Sequence, residues 1–113
     1  MKILTLLMLI MTGSPHPIEL KVSPTVGFAP LTVHTTITVE RNYLNTDLCL
    51  AWGSEYGESG QHCWHTEGQY IPVTTEFAIK SLSPGVYAFQ ASVAQGPRVL
   101  RSTPMRVEVV SGQ

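Results

Sequence analysis

The chain has 113 residues, room for one domain of ordinary size and not for two. Apolar residues make up 43% and charged residues 13%, enough for a core and too little charge for a disordered chain. A formal net charge of −1 leaves no global basic field, which excludes the usual electrostatic route to nucleic acid or an anionic membrane surface.

Met1-Lys2, the run Ile3–Met11 and then Thr12-Gly13-Ser14-Pro15 follow the order of a secretory leader: a positive start, a short apolar stretch, small residues. Nine residues rise only about 14 Å as a helix, short of the ~30 Å hydrocarbon core, so no stable membrane span is expected. Residues 1–14 read as the leader and 15–113 as the mature domain. Met11 is large for its place before a cleavage site, and the competing reading keeps Ile3–Met11 as a strand buried on both faces. Cys49 and Cys63 fit export, because an even count in a small exported chain favours one disulfide. Closing a loop of this size contributes on the order of 3 kcal/mol.

From Ile18 onward the pattern is strand and turn. Ile18, Leu20 and Val22 alternate with polar residues, and Pro24–Pro30 reads as a turn-rich connection. Leu31–Glu40 alternates most cleanly, with Leu31, Val33, Thr35, Ile37 and Val39 on one side, as a half-buried strand requires. Arg41–Asp47 is polar, and Leu48–Trp52 is a short strand with Leu48, Leu50 and Trp52 in phase. Gly53–Gln61 holds three glycines and reads as a loop, with His62–Thr66 a short edge strand. Thr74–Ile79 and Val86–Ala94 alternate again, turned by Ser83-Pro84-Gly85 and by Gln95-Gly96-Pro97-Arg98. Val99–Val110 returns, broken near Pro104. About seven short strands and no helical period predict an antiparallel β-sandwich. Its expected core is Leu20, Val22, Leu31, Val33, Ile37, Val39, Leu50, Trp52, Phe77, Ile79, Leu82, Tyr87, Phe89, Ala91, Val107 and Val109.

Pro24, Gly27 and Ala29-Pro30-Leu31-Thr32-Val33, then Trp52 ahead of Gly53, Glu55, Gly57 and Glu58, then Leu82-Ser83-Pro84-Gly85-Val86-Tyr87-Ala88-Phe89 carry a likeness. On these motifs the chain resembles the polycystic-kidney-disease (PKD) type of immunoglobulin-like domain over most of residues 18–110. The resemblance implies an immunoglobulin-like sandwich and says little about function. The residues fit it physically. Tyr87 follows a Pro-Gly turn, where the hydroxyl of a tyrosine corner bonds back to the chain upstream. Cys49 is out of phase with Trp52, so it should point away from the core and meet Cys63 across a sheet face or edge.

Few residues suggest chemistry. His62, Cys63 and His65, with Cys49 or His34, are too few and too irregular for a zinc set once a disulfide takes the thiols. Asp47 is the lone aspartate and no Gly-x-Ser-x-Gly elbow exists, so no catalytic residues, metal or cofactor are expected. Glu55 and Glu58 read as a solvated turn. Two recognition patches remain: Trp64 with Tyr56 and His65, and Arg98 with Arg101 on the last hairpin. The leading functional reading is therefore a non-enzymatic extracellular or periplasmic module for adhesion, assembly or ligand binding. Its partner is a protein or carbohydrate at a cell or particle surface, and self-assembly is compatible with it. A second reading is a structural subunit of an appendage or virion surface that retains its apolar N-terminal strand. A third is a small secreted hydrolase or enzyme inhibitor.

Overall fold

The structure, a computed structural model, describes residues 17–55, 58–65 and 71–112. The expected leader lies outside them. The described elements are nine strands: β1 (Ile18–Ser23), β2 (Val26–Phe28), β3 (Leu31–Val39), β4 (Asn45–Ser54), β5 (Ser59–His65), β6 (Thr74–Leu82), β7 (Gly85–Gln95), β8 (Arg98–Arg101) and β9 (Met105–Val110). One sheet runs β1-β3-β6; the other runs β2-β9-β7-β4-β5, with β8 also paired to β7. The fold is an immunoglobulin-like β-sandwich. It has nine strands where about seven were expected, and it is not wholly antiparallel, because β2 runs parallel to β9. No helix among the described residues is long and apolar enough to cross a membrane.

Alternation explains the core. On β3, Val33, Thr35, Ile37 and Val39 are buried, and Thr35, the polar member, donates its hydroxyl to the Phe77 carbonyl at 2.6 Å. Leu48 and Leu50 from β4 meet Tyr87, Phe89, Ala91 and Val93 from β7 in the middle of the larger sheet. Ile18, Leu48, Ile71 and Val93 join the core beyond the expected set, whereas Leu31, Trp52 and Phe77 are half-buried at its margin.

Three local features interrupt strict alternation. Leu31 pairs with Leu82 but Val33 pairs with Ile79, so β6 holds one extra residue there. Ser81 takes a left-handed φ of 63°, which lets Leu82 turn back into the core directly after exposed Lys80 and Ser81. The β7–β8 hairpin closes on Gly96-Pro97 between paired Gln95 and Arg98, and Gly96 supplies the φ of 61° such a two-residue turn needs. Between β8 and β9, ahead of Pro104, the Ser102 hydroxyl accepts the Ala91 N–H at 2.9 Å, and Ser102 N–H donates to the Ala91 carbonyl at 2.9 Å. The chain thus breaks near Pro104 without leaving β7 unpaired.

Candidate functional site

The region Gly53–Gln61, expected as a loop, is ladder at both its ends. Seven residue pairs join β4 to β5, from Asp47↔His65 to Gly53↔Ser59, without a shift in register. Ser54 N–H donates to the Glu58 carbonyl at 2.9 Å and closes the turn. Gly60 is there for packing. A Cβ at this position would stand 2.4 Å from Cζ2 of Trp52, whose ring lies over the glycine.

Cys49 and Cys63 are bonded, directly opposite each other, with Cα atoms 4.1 Å apart. That separation belongs to a non-hydrogen-bonded pair of an antiparallel ladder, where side chains stand closest. The bond sits on the face turned away from the core, as the phase of Cys49 against Trp52 requires. Beside it on the same face, Asp47 Oδ1 pairs with His65 Nδ1. Ser92 lies next to Cys49 on β7, and Arg101 lies opposite Ser92 on β8, so disulfide, serine and arginine form one row across the sheet.

Trp64 is on the other face of β5. Its ring is half-buried, with its centroid 5.4 Å from that of Phe77 and 4.6 Å from that of His62, edge-on to both. His62 stacks on Phe77 at 4.6 Å with an interplanar angle of 11°. Trp52 lies 6.4 Å from Phe77 and 6.4 Å from Phe89, tying this shelf to the core. The shelf occupies the side of the sandwich where β5, the last strand of one sheet, overhangs β6, the last strand of the other.

The expected patches are therefore split. Trp64 and His65 occupy opposite faces of β5, and Tyr56 lies outside the described residues. Arg98 and Arg101 are both exposed but three residues apart on β8, hence on opposite faces. The structure groups Trp64 with His62, Phe77 and Trp52, and His65 with Asp47 beside the disulfide, while Arg101 lies on the same face three strands away from β5. The alternation of β5 carried the signal: with Cys63 facing out, His62 and Trp64 must face in.

At one end of the sandwich, Glu58 fastens the β4–β5 turn to the start of β7. It accepts the Ser83 N–H at 3.1 Å, the Ser83 hydroxyl at 2.9 Å and the Tyr87 hydroxyl at 3.0 Å. Tyr87 shares its proton with the Ser83 carbonyl, 2.8 Å away, which completes the expected tyrosine corner. A cleft of about 400 Å³ opens here between Ser54, Glu55, Glu58 and Pro84. The Ser83 amide, then the Ser83 and Tyr87 hydroxyls, hold the Glu58 carboxyl below its ordinary value. Burial first, then the Glu58 carboxylate, raise the Tyr87 phenol. A carboxyl held ionised is the opposite of a general acid.

A pH dependence follows. The folded pKa of Glu58 is lowered, so its contribution to stability is full above 4.5 and disappears as pH falls through the folded value. The Tyr87 contribution is full below 10.0 and disappears as pH rises through its raised folded value. Thermal melts of Glu58→Gln across the acid range should show a shallower loss of stability than the parent. Parallel curves would contradict the role given to Glu58.

Among the described residues, no three His, Cys, Asp or Glu side chains stand together as a metal site. Beside the His65–Asp47 pair, the nearest nucleophilic side chain along β5 is Cys63, held in the disulfide.

No protein-family model matches the sequence, and no curated protein is significantly similar to it. Solved structures do share the fold. A superoxide reductase (neelaredoxin) from Ignicoccus hospitalis is 14% identical, with 83% of this chain and 80% of that one covered at a TM-score of 0.58. The human F-spondin reeler domain is 8% identical, with 82% and 89% covered at a TM-score of 0.59. The PKD domain of an M14-like peptidase from Thermoplasmatales archaeon SCGC AB-540-F20 is 13% identical, with 82% and 92% covered at a TM-score of 0.53. These likenesses reach from an enzyme to domains carried in larger proteins, so the shared frame does not assign a chemistry.

Proposed function

We propose that the chain is an exported, non-enzymatic immunoglobulin-like module of the PKD type. It binds a protein or carbohydrate at a cell or particle surface along the β5 edge, with Trp64 as anchor. The observation that carries this reading is the aromatic shelf. Trp64 keeps part of its ring exposed while His62 and Phe77 fix its orientation, so little freedom is left to lose on binding. The Cys49–Cys63 bond supports export, because such bonds persist in oxidising compartments, and it holds the shelf's strand in register. The PKD assignment draws on the Ala29-Pro30-Leu31-Thr32-Val33 and Pro84-Gly85-Val86-Tyr87 motifs and on the PKD domain among the structural neighbours. Non-enzymatic action is supported by the engagement of Cys63, the sulfur nearest the His65–Asp47 pair, in the disulfide.

The test is binding of immobilised oxidised protein to a glycan array and to surface proteins of the producing cells. Trp64→Ala should weaken capture by about 2 kcal/mol, roughly 30-fold, as for an interface anchor, while the variant still melts cooperatively. If Trp64→Ala binds as well as the parent and Arg98→Ala abolishes capture, the contact lies on the β7–β8 hairpin instead. Turnover of glycosides, esters or peptides by the purified protein would overturn the non-enzymatic reading.

A further inference from the structure

Most edge strands of a β-sandwich carry a device against pairing with another chain. Here β1 presents Glu19 and Lys21, and β6 presents Glu76 and Lys80 and bulges at Ser81. β2 spans only Val26–Phe28, and β8 is four residues long with an arginine at each end. β5 has none of these. Its seven residues, Ser-Gly-Gln-His-Cys-Trp-His, include no proline, lysine, arginine or carboxylate, and they keep regular register with β4 throughout. Among the described residues β5 pairs with β4 alone.

The ladder shows which backbone groups β5 leaves over. Cys49↔Cys63 is a non-hydrogen-bonded pair by its 4.1 Å Cα separation, and the Ser54–Glu58 hydrogen bond fixes the same phase from the turn. Ser59, Gln61, Cys63 and His65 therefore direct their N–H and C=O groups away from β4, to the free edge. Gly60, His62 and Trp64 direct theirs to β4.

We infer that a second copy of this chain pairs with that edge, β5 against β5, antiparallel about a two-fold axis at His62. The inference rests on the reading of β5 as the contact edge. In this register Gln61 faces Cys63 of the second copy and Ser59 faces its His65. All four outward residues on each strand then donate one hydrogen bond and accept one. Gly60 faces Trp64 of the second copy, which arrives beside the Trp52 ring already lying over Gly60. No formal charges of like sign meet along β5. Beneath it, Phe77 lies under His62, with exposed Glu76 and Lys80 on either side along β6. A two-fold axis near Phe77 sets Glu76 of each copy about two positions from Lys80 of the other, two attractions against one equally close Glu76–Glu76 approach, and this balance favours a second copy over an unrelated strand. The result is one larger sheet running through both copies.

The experiment is sedimentation velocity on the oxidised protein over a concentration series. Gln61→Pro removes an N–H that the β4 ladder does not use, so the monomer should fold while self-association weakens at least ~10-fold. Should the proline variant fail to fold, Gln61→Lys places a charge on the same edge and is expected to weaken the dimer equally. His62→Cys should give a covalent dimer on mild oxidation, since His62 faces its own copy across the axis. A monomer at every concentration, a dimer indifferent to both Gln61 variants, or no covalent dimer from His62→Cys would overturn the pairing. A monomer that still loses its surface ligand on Trp64→Ala leaves the binding reading standing and sinks the pairing alone. A Gln61-dependent dimer whose ligand capture ignores Trp64→Ala does the reverse.

Discussion

Phe89→Ala is expected to lower unfolding stability by about 3–5 kcal/mol, the range for a fully buried aromatic cut to alanine. Phe89 is 0% exposed and lies opposite Trp52 on β4 and Met105 on β9, so strands fix its surroundings on both sides. Its ring stacks on Trp52 at 6.4 Å with an interplanar angle of 20°, and Trp52 in turn touches Phe77. Backbone held in a ladder cannot collapse into the space left behind, so both the transfer loss and the cavity remain. A small domain has a total stability of roughly 5–15 kcal/mol, so the variant should melt more than ~10 °C lower. Urea unfolding of parent and variant checks this. A loss under about 1 kcal/mol would mean that the site repacks and that the sheet is less rigid than described.

Removing the disulfide, as Cys49→Ala with Cys63→Ala, should cost about 3 kcal/mol in the chain-entropy account for a loop of this size. The bond joins residues 14 apart in sequence that are already ladder partners. Much of the effect should therefore be local. β5 is an outer strand, held by β4 and by the seat of His62 and Trp64 on Phe77. Amide exchange in β5 should accelerate far more than in β7, which is paired on both sides, and a dithiol reductant acting on the parent should reproduce the pattern. Unchanged exchange in β5 would show that the ladder and the aromatic shelf hold the strand unaided.

Strands whose own residues alternate were legible in the sequence. β3 followed from Leu31 to Val39, and β7 from Tyr87, Phe89, Ala91 and Val93 in phase. The opposite phases of Cys49 and Trp52 point Cys49 away from the core, and the β4–β5 register shows that Cys63 meets it across the sheet face. β2 could not be read, because three residues between prolines have no period and the strand exists through its partner β9. Gly53–Gln61 misled for a physical reason: Gly60 looks like a loop residue, yet it is a strand residue that makes room for the Trp52 ring. Ile71 is buried but sits outside any strand, so no alternation marked it. The shelf was half legible. Trp64 stood out, but its partners His62 and Phe77 emerge only once β5 is known to overhang β6. Asp47 and His65, 18 residues apart, meet only through the β4–β5 register.

The proposed contact edge is β5, clamped by an outward-facing disulfide, on a sandwich proposed to be exported. The most direct measurement is the thiol state of the natural protein, taken from its producing cells and alkylated before any reduction. Mass spectrometry should find Cys49 and Cys63 unlabelled and joined in one peptide pair, with the intact mass two hydrogens below that of the reduced chain. Alkylation of both thiols in freshly isolated protein would contradict the clamp, and with it the proposals of export and of a preorganised contact edge.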